Sequence, residues 1–519
     1  MAGGPADRVL LRDPQVLKVP DLVLFSPPVV LVAGADCSTQ STKVLVVDAD
    51  GGRVIASGAA AHRVDGTGGA RETDPREWEE SLCAALAQTG RAGEVAAISI
   101  AGQQHGLVAL DRRQLPVRPA PLWNDTRSAP DARALVAALG GPADCARRVG
   151  SVLTAAFTVS HWAWLRRTEP DAARAAARVM LPHDYLNLRL TGEAVTDRSD
   201  VSGTGWWSPG GEAYAEDVLA LDLVGLEPAR LPRVAAPEEA TGRVTPAAAE
   251  RFGLPAGAAV GCGAADNAAG ALALALRPGE AALSLGTSGT VFATATRPSS
   301  DPGGTVAGFA SADGRYLPLA CTLNATLAVD RVAGWLGLDR EDVAPARGLA
   351  FLPWLGGERT PDIPTATGTL WGLRYETDPR SILQAAYEGL VATLLEAVRE
   401  LDRWAPQDPA APIVLLGGGA RGRAWRETVR RLSGRPVTVV EAAEPVAYGA
   451  ALQAGALATG IPLDGLAAAW GARREAVLDP LPADAETLAR IGWWRGVVLD
   501  ALAGAGPPRA GAGPPGPSG

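Results

Sequence analysis

Residues 258–294 read AAVGCGAADNAAGALALALRPGEAALSLGTSGTVFAT, and the reading of this stretch decides the fold. An apolar run ends in one carboxylate, Asp266, with Gly261, Gly263, Ala264 and Ala265 before it. Nothing bulky stands near that acid, so a ligand can approach it closely. Asn267 follows, and Ala268 to Leu276 is predicted to open a helix. Leu283 to Leu285 then enters Gly286-Thr287-Ser288-Gly289, and Thr290 to Phe292 leaves as a second strand. A tight turn of Gly and hydroxyl residues presents N–H groups and hydroxyls suited to phosphate oxygens. Taken singly, each half is equally an ordinary buried Asp and an ordinary hairpin turn. A matching device elsewhere is needed.

It lies near the start of the chain. Val29 to Ala35 is an apolar run ending in Asp36-Cys37-Ser38-Thr39-Gln40-Ser41-Thr42-Lys43, after which Val44 to Val47 returns as a strand. Two hydroxyl-rich hairpins far apart in sequence predict two similar domains facing each other across a cleft, each holding part of a polyphosphate. Between them lie two further motifs. Gln103-Gln104-His105-Gly106 follows the strand Val95 to Ile100, which leaves His105 at a glycine-flanked strand end. Leu122-Trp123-Asn124-Asp125 sets an aromatic ring beside an amide and a carboxylate, the groups a polyhydroxyl substrate needs. The same four residues could equally be a buried Trp with a capping turn.

At 519 residues the chain exceeds one core, so two or more domains are expected. A net charge of −9 argues against non-specific nucleic-acid binding. Five scattered cysteines, Cys37, Cys83, Cys145, Cys262 and Cys321, without a Cys-x-x-Cys pair, indicate neither a disulfide framework nor a zinc site. The cytoplasm is the expected compartment, and no membrane span is predicted. Pro27-Pro28 and the acids upstream make residues 1–28 an irregular extension rather than a signal peptide. Further expectations are a helix opening at Asp74-Pro75 and a long one opening at Asp378-Pro379. Pro412 to Leu416 is read as a buried strand, Glu358-Arg359 as a solvated ion pair, and the Gly/Pro-rich residues 503–519 as disordered.

Gly417-Gly418-Gly419-Ala420-Arg421-Gly422 fits a dinucleotide-binding pattern, with Glu441 after the next strand. That reading, an NAD-dependent dehydrogenase, leaves both hydroxyl hairpins unexplained. A glycine turn serves equally as a seat for adenosine.

In order and spacing these motifs resemble the FGGY family of carbohydrate kinases, and within it the xylulokinases. The resemblance runs from Val29 to Leu466 and also takes in Leu181-Pro182-His183-Asp184-Tyr185-Leu186 and Gly357-Glu358-Arg359-Thr360-Pro361. It implies two actin-like, ribonuclease-H-like α/β domains with a ligand cleft between them: 29–270 for sugar and 271–502 for nucleotide. It implies Asp266 as general base and Asp36 as the carboxylate serving Mg²⁺ with ATP. Gln104, His105 and Asn267 would contact the sugar, joined by Trp123, Asn124 and Asp125. Thr39, Gln40, Ser41, Gly286 and Thr287 would cradle phosphates, and Gly418, Gly419 and Ala420 would sit under the nucleotide. The expected reaction is phosphorylation of D-xylulose, with other FGGY substrates (ribulose, gluconate, glycerol) as alternatives. Expected partners are the sugar and ATP, with no nucleic acid or membrane; the one assembly allowed for is a homodimer. Three positions depart from the family pattern: Gln104 stands where Met is usual, His161 where Lys is usual, and Ser381 where an amide, acid or His is preferred.

Overall fold

The computed structural model describes residues 29–440, 444–471 and 474–504. The readings of 1–28, of Glu441 and of 505–519 fall outside them. Two mixed sheets carry the fold. The first contains β1 (Leu31–Cys37), β2 (Ser41–Asp48), β3 (Val54–Ala61), β4 (Val95–Gly102), β5 (Ala240–Arg243), β6 (Ala259–Gly261) and the short β7 (Ala264–Ala265). Its order is β5-β6-β4-β1-β2-β3, with β7 beside β4. The second contains β8 (Ala281–Leu285), β9 (Gly289–Ala293), β10 (Ala307–Ala310), β11 (Tyr316–Thr322), β12 (Ile413–Leu416) and β13 (Val437–Val439), in the order β10-β11-β9-β8-β12-β13.

Laid side by side, β3-β2-β1-β4-β6 and β11-β9-β8-β12-β13 are the same arrangement. Each opens with an antiparallel hairpin, β1/β2 or β8/β9, and continues through parallel neighbours, β4 and β6 or β12 and β13. The two hydroxyl-rich turns are therefore equivalent corners of two α/β domains.

Local chemistry accounts for the helices. Helix α1 (Pro75–Thr89) starts where the Asp74 carboxylate accepts from Arg76 N, and it stops at left-handed Gly90. Helix α2 (Pro182–Thr191) starts with Pro182, its Asp184 carboxylate reaches back to accept from Leu181 N, and it stops at left-handed Gly192. Helix α3 (Asp266–Ala273) begins two residues before its predicted start, so Asp266 occupies the first helical position. Asp378 caps α4 (Pro379–Asp402) through Arg380 N. Its length and apolarity would suit a membrane crossing, but Leu383, Tyr387, Leu390, Val391 and Leu394 are buried in the second domain's core. Helices α5 (Arg423–Ser433) and α6 (Pro445–Thr459) follow.

The strand β1 runs two residues beyond its predicted end, through Asp36 to Cys37. Its alternation sends Leu31, Ala33, Ala35 and Cys37 toward Trp78 and Leu82 of α1. Val32, Gly34 and Asp36 then face α6. The contact there is backbone to backbone: a Cβ on Gly34 would overlap the Ala447 carbonyl and the Ala451 nitrogen, and one on Gly449 would overlap the Ala269 carbonyl. So α6, late in the chain, is clamped between β1 and α3. Gly34→Val is expected to cost about 1–3 kcal/mol by overpacking, seen as a lower Tm; an unchanged Tm would contradict this contact.

Candidate functional site

Two registers bring the acids together. Asp36 on β1 pairs with Ala101 on β4, and Ala101 pairs with Ala264 on β7, two residues before Asp266. The two carboxylates thus flank the same strand end, their strands about 10 Å apart at two strand spacings. Burial, then the charge of Asp266, pushes the Asp36 carboxyl up to about 7. Asp36 Oδ1 is buried without a hydrogen-bond partner. Across the hairpin its register partner is Lys43, whose Nζ meets Glu444 at 2.7 Å. Burial likewise raises Asp266, to about 6, against the bonds it accepts from Asn267 N (2.7 Å) and Asn267 Nδ2 (2.9 Å).

A buried cluster supports the chain before Asp266. His183 Nε2 lies 3.0 Å from Asp197 and 3.3 Å from Asp200, and its Nδ1 lies 3.2 Å from Asp184. Burial opposes its charge, but the three carboxylates prevail and raise it to about 10. Asp197 accepts from the Ser199 hydroxyl, which in turn accepts from Ala265 N at 3.0 Å. The residue preceding Asp266 is thereby fixed from below.

The same segment holds the expected sugar end. His105 adopts a left-handed backbone (φ 73°), a strained state that a packed surrounding must impose. Its Nδ1 lies 2.6 Å from the Gly203 carbonyl, which only accepts, so Nδ1 carries the proton. Burial lowers this imidazole to about 4, so it is neutral and Nε2 is an acceptor. Phe157 and Phe309, one from each domain, flank the ring at 4.9 and 5.7 Å. Gln104 is buried and donates Nε2 to the Ser199 carbonyl at 3.2 Å, which engages one of its two amide hydrogens with the protein. Trp123 is 43% exposed and donates Nε1 to Thr39 Oγ1 at 3.1 Å, linking this end to the first hairpin. Asn124 Oδ1 is buried without a partner. The Asp125 carboxylate is buried and accepts from Arg71 N and from the backbone and guanidinium of Arg127.

In the first turn, Ser38 N and Oγ both donate to the Ser41 carbonyl, and Gln40 stands exposed beside Thr39. Ser41 opens β2 rather than belonging to the turn. In the second, the Gly286 carbonyl accepts from Thr326 N and Oγ1, which leaves Thr287 exposed at the tip.

A cavity of about 310 Å³ joins the domains: Asp266, Asn267 and Gly270 form one wall, while Ser284, Gly417, Gly418 and Arg421 form the other. Gly418 and Arg421 also line a second opening, of about 440 Å³, that continues outward past Arg340 and Arg423. Gly419 and Ala420, expected on the ligand side, are buried behind it. Residues Gly418–Arg421 form a 3-10 turn and the helix starts only at Arg423. The Glu358 carboxylate is fully buried and accepts from Leu323 N and Asn324 Nδ2, so it is not a solvated partner of Arg359.

Sequence reading gave no role of their own to Lys43, Arg421 and the His183 cluster, which lie in or next to quoted motifs, or to Glu444. Lys43 had a signal, since the antiparallel register places it opposite Asp36. The others converge only through contacts distant in the chain.

Known proteins resemble this chain along most of its length. Residues 31–273 match the profile of the N-terminal domain of the FGGY family of carbohydrate kinases, and residues 281–458 match that of its C-terminal domain. The chain is 57% identical over 475 residues to the xylulose kinase of Streptomyces coelicolor, covering 91% of this chain and 96% of that one. It is 56% identical over 472 residues to the xylulose kinase of Streptomyces rubiginosus, with the same coverage of 91% and 96%. The crystal structure of xylulose kinase from Bifidobacterium adolescentis superposes with a TM-score of 0.80 at 34% identity, covering 90% of this chain and 100% of that chain.

Proposed function

The chain belongs to the FGGY family of carbohydrate kinases, and from that premise we propose that it transfers the terminal phosphoryl group of ATP to a primary hydroxyl of D-xylulose, giving xylulose 5-phosphate. The observation that carries this reading is the meeting of Asp36 and Asp266 at one strand end, beside a cavity whose far wall is the Gly417–Arg421 turn. The identity to the two Streptomyces xylulose kinases supports the choice of sugar over ribulose, gluconate or glycerol.

In this mechanism residues 29–270 hold the sugar and 271–502 the nucleotide, the whole acting in the cytoplasm. The sugar lies between Trp123, Asn124 and His105, whose Nε2 accepts from a hydroxyl. Asp266, oriented by Asn267, takes the proton of the primary hydroxyl as its oxygen bonds to the terminal phosphorus. The bond from that phosphorus to the bridging oxygen breaks, and its electron pair leaves with ADP. Thr39, Gln40, Ser41, Gly286 and Thr287 lie along the path of the phosphates, and Gly418 with Arg421 lines the seat of the nucleoside. The residues present fit Mg²⁺: a buried carboxylate with an unpartnered oxygen at Asp36 gains from a cation, and Mg²⁺ bound mainly through phosphates needs only one or two carboxylates. When bound, it neutralises phosphate charge.

A panel of D-xylulose, ribulose, gluconate and glycerol with ATP and Mg²⁺, read as ADP release, tests the assignment. D-Xylulose should exceed the others in kcat/KM by at least about tenfold; a higher value for any other sugar, or no ATP-dependent turnover, overturns it. A base must be deprotonated, and burial holds Asp266 near 6. At saturating Mg-ATP, kcat/KM for the sugar should therefore be flat above about pH 7 and fall roughly tenfold per unit well below pH 6. A profile that stays flat down to pH 5 would remove Asp266 from that role.

A further inference from the structure

Arg359, on the loop that follows the buried segment 352–354, is a cation that meets no counter-charge among the described residues. It is half-buried, yet among the described residues its guanidinium makes no hydrogen bond and no ion pair. The backbone around it is held firmly. Asn324 Nδ2 donates to the Gly357 carbonyl at 2.7 Å, Thr360 Oγ1 donates to the Cys321 carbonyl at 2.7 Å, and the buried Glu358 carboxylate accepts from Leu323 N at 2.6 Å and Arg359 N at 2.8 Å. Cys321, Leu323 and Asn324 lie at the end of β11, where Thr322 pairs with Gly289 beside the Gly286–Ser288 turn. The seat of Arg359 is thus the edge of the second hydroxyl hairpin.

The charge of Arg359 acts on His105 and on Cys321, and Cys321 also feels Asp266. The guanidinium thus belongs to the rim of the phosphate-suited hairpin, close enough for its charge to act on the expected sugar contact, His105. Half-burying an arginine without an anion is unfavourable, and the rigid backbone keeps it from leaving by loop motion. A planar fork of N–H donors matches phosphate oxygens two at a time.

We propose that Arg359 binds the phosphoryl group in transit, first as the terminal phosphate of ATP and then as the phosphate ester on the sugar. The proposal rests on the kinase reading above.

The test uses full-length Arg359→Ala and Arg359→Lys with whichever sugar the unmodified enzyme turns over best. In Arg359→Ala, kcat should fall roughly 10²-fold, as for loss of a charge-stabilising donor, while KM for the sugar stays within about threefold. Inhibition by the sugar-phosphate product should weaken at least tenfold or so, and added guanidinium ion should restore part of kcat. Arg359→Lys keeps the stem and charge and serves the same comparison if the alanine form does not fold: lower kcat, unchanged sugar KM and weaker product inhibition support the proposal. An unchanged kcat overturns it. So does a raised sugar KM with intact kcat, which would make Arg359 a ligand of sugar hydroxyls, or a lost kcat with unaltered product inhibition and no guanidinium rescue. A different preferred sugar revises the substrate and leaves this proposal standing; no ATP-dependent turnover in the unmodified enzyme overturns both.

Discussion

Asp266→Ala is expected to lower kcat by about 10²–10⁴-fold, the usual worth of a positioned base, while nucleotide affinity changes little. The asymmetry follows from where the two halves of the site are built. Asp266 opens α3, held from below through Ala265 N and Ser199, whereas the opposite wall, Gly417, Gly418 and Arg421, hangs from β12 of the other sheet. The Asn variant separates proton transfer from shape, since an amide retains the size of the carboxylate but cannot take a proton. Both variants should lose turnover to a similar degree. Removing the carboxylate also removes a charge that raises Asp36, so the Asp36 carboxyl should ionise at lower pH in either variant. Turnover within tenfold of the unmodified enzyme would remove Asp266 as base.

The second large effect is expected at Asp36. Asp36→Asn should lower kcat at fixed Mg²⁺ by roughly 10²–10³-fold, in line with the several kcal/mol a metal supplies to charge stabilisation. Its half-saturating Mg²⁺ concentration should rise as well. The reason is local: Asp36 is buried 5% exposed, one oxygen has no protein partner, and Lys43 is drawn to Glu444 instead. Left without a cation, that carboxyl sits near 7 and is partly protonated at neutral pH. Asparagine removes the acid without changing the fit of β1 against α6, so Tm should not fall. Normal Mg²⁺ dependence in this variant would exclude Asp36 as a ligand.

Much of the fold was legible because its signals are local. Asp74-Pro75 and Asp378-Pro379 announce helices through side chains within three residues of the start, and both hairpins declare themselves through glycine and hydroxyl residues between apolar runs. Signals that depend on partners were read less well. The strand β1 was expected to end at Ala35 because Asp36 looks polar, yet pairing with β4 and β2 carries it to Cys37. The Asp125 carboxylate also holds Arg127 two residues on, an ion pair that the Asp-x-Arg spacing already contained. Glu358 resembled a surface charge because nothing nearby in sequence reveals Leu323 and Asn324 as its partners. That Asp36 and Asp266 meet at one site has a cause no local pattern shows: β1 and β7 both pair with β4.

The most direct measurement is a crystal structure with D-xylulose, Mg²⁺ and a non-hydrolysable ATP analogue. The sugar's primary hydroxyl should lie within hydrogen-bond reach of Asp266, about 2.6–3.2 Å, with the metal and terminal phosphate on the Asp36 side and the adenosine beyond Gly418 and Arg421. A sugar bound away from Asp266, or phosphates lying outside the gap between the two hairpins, would contradict the account.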